Sequence, residues 1–112
     1  MSELSGPPPA TPPEPVIVTL RFDAADASAL GSVLARYVVV SRGHSGCTNI
    51  DLCASDTVEG RFLVIEKWSD DESRRIHFDS DDMVTMAQAC RGLLRSPAEI
   101  DLHQPISAHD LA

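Results

Sequence analysis

Aromatic side chains are scarce in this chain, at 4% of 112 residues, with one tryptophan and one tyrosine. A core must therefore be mainly aliphatic, and the 43% apolar content suffices for a single domain of this length. Basic residues are also few, nine against seventeen acidic ones, for a formal charge of −8. That balance argues against nucleic acid as a partner, because such affinity rests on Lys and Arg neutralising phosphates. No apolar run approaches the roughly 20 residues of a membrane helix, and the N-terminus lacks a charged start followed by an apolar stretch. The expectation is a cytoplasmic protein with no membrane association.

Cysteine is limited to Cys47, Cys53 and Cys90, an odd number without Cys-x-x-Cys spacing. Cys47 and Cys53 fall on one expected strand, roughly 20 Å apart and too distant to bridge. Reduced, buried thiols are expected. Nucleophile elbows, phosphate loops and clustered metal ligands are lacking, and His44, His103 and His109 share no periodicity. No metal site is expected.

Proline, by contrast, is concentrated. Pro7, Pro8, Pro9, Pro12, Pro13 and Pro15 fill a segment that favours extended conformers and builds no core. Residues 1–15 are expected to be a disordered tail, residues 16–106 the folded domain, and residues 107–112 a second tail.

Within the domain, Val16, Val18, Leu20 and Phe22 alternate as one face of a strand. Asp23 is suited to cap the helix that follows, in which Leu30, Val33, Leu34, Tyr37 and Val38 recur at helical spacing. That helix is expected to end near Arg42, with Gly43 in the left-handed conformation beyond it. A second strand, 46–54, sets Thr48, Ile50 and Leu52 against Cys47, Asn49 and Asp51. The third, Arg61 to Trp68, carries Phe62, Leu63, Val64 and Ile65 and pairs with the second as a hairpin.

A short helix over about 70–78 opens with Ser69 and Glu72 as a capping box. Ser80 caps another helix, with Met83, Met86, Ala87, Cys90, Leu93 and Leu94 on one side, and Pro97 stops it. Ile100 and Leu102 alternate in a fourth strand over 98–104. The order is βαββαβ: an α+β, ferredoxin-like fold with a four-stranded antiparallel sheet and helices on one face. The other face, with Thr19, Arg21, Asn49 and Asp51 beside Leu63 and Ile65, is mixed. A second copy is expected to cover it, giving a homodimer in the manner of a dimeric α/β barrel.

Ser45-Gly46-Cys47, Glu66-Lys67-Trp68, His77, Ser80-Asp81 and the strand from Leu102 to Pro105 together resemble the antibiotic biosynthesis monooxygenase family over about 16–106. The resemblance implies O₂ insertion into an electron-rich quinol or anthrone-like ring without metal, flavin or haem, so no cofactor. Deprotonating such a substrate gives a carbanion-like phenolate able to pass an electron to O₂. His77 would then be the titratable partner, Trp68 would position the ring, and Asn49 would hold a developing oxyanion. The haem-degrading branch requires an asparagine on the first strand and a histidine inside the last helix. Those places hold Leu20 or Thr19, and Ala87 or its neighbours.

Simpler roles exist for each of these residues. Trp68 suits core packing, His77 a hydrogen-bonded structural site, and Asn49 an ordinary polar place on a sheet. Asp70, Asp71, Glu72, Asp81 and Asp82 suit the first turns of helices, where the macrodipole favours negative charge. Met83 and Met86 suit the core. A proton-transfer isomerase using His77, and a non-catalytic dimeric ligand-binding or stress-related module, remain alternatives to an oxygenase.

Overall fold

The computed structural model describes residues 14–107, so residues 1–13 of the expected 1–15 tail and residues 108–112 of the expected 107–112 tail lie outside it. Four strands, β1 (Val16–Asp23), β2 (Cys47–Ala54), β3 (Arg61–Trp68) and β4 (Glu99–His103), form one antiparallel sheet in the order β2-β3-β1-β4. Helices α1 (Ala27–Ser41), α2 (Asp71–Phe78) and α3 (Asp81–Ala89) cover one face. This is the split βαβ, ferredoxin-like arrangement that the alternating strand and helix periods imply.

The core lies between the sheet and the helices. Val18, Leu20 and Phe22 of β1, Ile50 of β2 and Val64 and Trp68 of β3 meet Leu30, Leu34, Tyr37 and Val38 of α1. Their two-residue spacing in the strands, and three- to four-residue spacing in the helix, put every one of them on the shared face. Leu63 and Ile65 point to the outer face and stay partly exposed.

Several boundaries differ from those the sequence suggests, each for a local reason. Asp23 does not cap α1, because Arg61 holds its carboxylate with two hydrogen bonds of 2.8 and 3.1 Å. Asp26 takes the role, accepting from the Ala29 amide. Ser69 does not cap α2 either. Its amide remains bonded to the Gly46 carbonyl, and Asp70 caps through the Ser73 amide at 2.7 Å. The left-handed glycine after α1 is Gly46, with φ of 79°, rather than Gly43.

Helix α3 closes at Ala89, short of Pro97. Gly92 turns the chain with φ of 78°, and the backbone of 93–95 then bonds to the end of β1 and the residues just past it. At the start of β2 the register shifts between Cys47 and Asn49. This one-residue bulge moves Cys47 onto the core side, opposite Trp68, whereas simple alternation puts it outside. Cys53 is exposed rather than buried, and all three cysteines are free.

Candidate functional site

Near the junction of β3 and α2 the apolar core gives way to a closed polar cluster. Alternation along β3 turns Val64, Glu66 and Trp68 inward together, so a carboxylate enters the core beside the only tryptophan. Unpaired, a charge in that position would be costly. It is fully partnered. The Trp68 indole Nε1–H donates to Glu66 Oε1 at 3.0 Å, and the Tyr37 hydroxyl, reaching in from α1, donates to Glu66 Oε2.

His77 completes the cluster from α2. Its ring is 1% exposed and lies 4.6 Å from the Trp68 ring, centroid to centroid. His77 Nε2 sits 2.7 Å from the Tyr37 hydroxyl and Nδ1 sits 2.8 Å from Nδ1 of His44. His44 Nε2 in turn lies 2.8 Å from Oδ2 of Asp82, in the first turn of α3. Burial, and then the Glu66 charge, push the Tyr37 hydroxyl far above the ordinary phenol range, so it stays a neutral donor. Burial followed by Glu66 also raises the nearby Cys47 thiol, which is therefore no ready nucleophile.

The cluster reaches the surface at a pocket of about 310 Å³ lined by His44, Ser45, Ser73, Ile76, His77 and Ser80. His44 is 21% exposed there, while His77 stands behind it. On the far side of α3, a separate apolar cavity of about 170 Å³ is lined by Met83, Met86, Leu20, Phe22 and Cys90 among others. Among the described residues, no three His, Cys, Asp or Glu side chains converge as a metal-ligand set.

The structure thus brings together His77 and Trp68 of the residues singled out from sequence, and does not bring Asn49 to them. Asn49 pairs with Lys67 on the outer sheet face, where its amide donates to Asp51 at 3.2 Å. Trp68 is enclosed and does not line the pocket that His44 and His77 share. Tyr37, Glu66, His44 and Asp82 were not identifiable as a set. One available signal was Glu66 at an inward position of a strongly alternating strand.

Ser41, one turn beyond Tyr37, is also fully buried. Its hydroxyl lies toward the phenol without completing a hydrogen bond, and it is the one buried side-chain polar atom without a partner among the described residues. Ser41→Ala removes an unsatisfied buried group and is expected to stabilise the fold by about 1 kcal/mol, measured by urea denaturation.

The sequence profile of the antibiotic biosynthesis monooxygenase family matches residues 15–89. No curated protein matches the chain. Among solved structures, Rv0793 from Mycobacterium tuberculosis is 26% identical with a TM-score of 0.78, the match covering 85% of this chain and 98% of that one. PA3566 from Pseudomonas aeruginosa is 24% identical, also with a TM-score of 0.78, over 88% of this chain and 100% of that one. SnoaB, a cofactor-independent oxygenase from Streptomyces nogalater, is 21% identical with a TM-score of 0.76, over 86% of this chain and 97% of its own. At that identity the last two share the fold alone.

Proposed function

Since the chain belongs to the antibiotic biosynthesis monooxygenase family, we propose that it oxidises a small aromatic substrate of the quinol or anthrone type with O₂, using no metal or organic cofactor. The observation that carries this reading is His77. It is held among Trp68, Tyr37 and Glu66 and is linked through His44 to an open pocket. An anthrone-like ring has a methylene made acidic by the adjoining carbonyl system, and losing that proton leaves a carbanion stabilised as a phenolate. Electrons then pass from this carbanion to O₂. Both methylene C–H bonds break, one oxygen atom forms the new C=O bond, and the other leaves as water with the two hydrogens.

The protein's part is to take a proton early and return one to the departing oxygen. A titratable cluster at the pocket suits this work. Trp68 acts here by fixing Glu66 and His77 rather than by stacking on the substrate. The outer sheet face, where Ile17, Leu63 and Ile65 stand partly exposed beside Thr19 and Arg21, would receive a second copy of the chain.

The test is oxygen consumption by metal-free protein with a panel of quinols and anthrones. Uptake is expected from the wild type and a fall of about 100-fold in His77→Ala, the usual scale of a lost acid–base group. No uptake from any substrate would overturn the reading. Substrate proton exchange without uptake would point to isomerisation instead.

A further inference from the structure

The side chains from Asp82 to Glu66 form an unbroken series of four hydrogen bonds: Asp82 to His44, His44 to His77, His77 to Tyr37, and Tyr37 to Glu66. Each end is a carboxyl group. Glu66 is fully buried, whereas Asp82 is 45% exposed on α3. Every interior member has two hydrogen-bonding sites, and both are used within the series.

Proton counting along this series gives a specific result. Four links need four protons, and each proton has two possible seats. With every proton on the atom nearer the core, Glu66 is a neutral acid, Tyr37 and both imidazoles are neutral, and Asp82 is ionised. With every proton moved across its link, Glu66 is ionised, Asp82 is the neutral acid, and the three interior groups are again neutral. One short hop per link converts the first state into the second without a lost proton or a broken contact. Between them lies a state with both carboxylates ionised and one proton shared by the facing Nδ1 atoms.

We propose that Asp82, His44, His77, Tyr37 and Glu66 are a proton wire that exchanges charge between the buried Glu66 and the pocket edge, and that His44 and Asp82 are its relay residues. This rests on the oxygenase reading for its use in turnover. Starting from the second state, Asp82 takes the proton removed from the substrate as its own carboxyl proton moves inward along the links. Glu66 and Asp82 are then both neutral acids until one proton returns to the departing oxygen. Other groups packed against the wire do not divert it. The Cys47 thiol is pushed toward its neutral form, Ser41 makes no completed bond, and Trp68 only donates to Glu66.

His44→Asn separates conduction from structure. Its amide can replace one imidazole nitrogen toward His77 but cannot accept a proton at one atom and release another elsewhere. Two readouts are needed, on the full chain. First, transfer of magnetisation from water to the buried Tyr37 and His77 exchangeable protons, followed by NMR, should slow by about tenfold or more in His44→Asn and in the milder Asp82→Asn. Second, kcat for oxygen uptake should fall about 100-fold with KM unchanged, and free imidazole in the assay should restore it saturably.

Unchanged proton exchange in both variants would overturn the wire whatever the activity. Slowed exchange with normal kcat would overturn its part in turnover. Slowed exchange in a protein that consumes no oxygen would retain the wire and remove the oxygenase reading instead.

Discussion

Tyr37→Phe is expected to destabilise the protein by about 3 kcal/mol, although it removes a single oxygen atom and leaves the apolar volume intact. The reason is what the hydroxyl satisfies. Glu66 Oε2 and His77 Nε2, both fully buried, each lose their partner at once. An unsatisfied buried group costs about 1–3 kcal/mol, and more when it is charged. Urea denaturation would measure the loss. A change below about 1 kcal/mol would show that the cluster closes by another route, with a water replacing the hydroxyl. The same variant removes the hydroxyl link between His77 and Glu66 and leaves a 3.7 Å gap from His77 Nε2 to Glu66 Oε1, so oxygen uptake is expected to fall with it.

Gly46→Ala is the second large effect, and it acts through shape alone. Gly46 adopts φ of 79°, a conformation that costs a residue with a side chain about 1 kcal/mol. A Cβ there would also lie 2.2 Å from Ser73 Oγ and 2.4 Å from Ser73 Cβ. Either β2 or α2 must move, and the total loss is expected to be about 3 kcal/mol. Because α2 carries His77 and Gly46 lies two residues from His44, the contact between the two rings should open as well. Adding Ser73→Gly removes both clashing atoms and should recover the steric part, leaving the backbone strain. A glycine in α2 costs about 0.5–1 kcal/mol by itself, so Ser73→Gly alone is the reference. If Gly46→Ala costs as much in that background as in the wild type, the clash is not the cause.

The fold was legible because its signals are local and repeated. Alternation in β1 and β3, helical spacing in α1, and Ser80 before α3 each fix an element without reference to the others. The failures occurred where a distant partner decided between two local options. Asp23 and Asp26 both suit a helix start, and Arg61, 38 residues from Asp23, selects between them. Ser69 and Asp70 both suit a cap, and pairing with Gly46 selects Asp70.

The site follows the same division. Trp68 and His77 sit close enough along the chain for one strand-to-helix unit to suggest their meeting. Tyr37 and Glu66 are 29 residues apart and His44 and Asp82 are 38 apart, so no spacing rule connects them. The bulge before Asn49 likewise has no marker in a simple alternating pattern, yet it decides which side chains of β2 face the core.

The close, tilted contact between the Trp68 and His77 rings has an optical consequence. A protonated imidazole accepts an electron from excited indole far more readily than a neutral one, and 4.6 Å is within contact range for such quenching. With no second tryptophan in the chain, its emission is a single uncluttered signal. The protein therefore contains its own built-in lamp, dimming only while positive charge resides on His77. Without any added label, it marks the doubly ionised state of the buried cluster and stays bright in the two states with neutral rings.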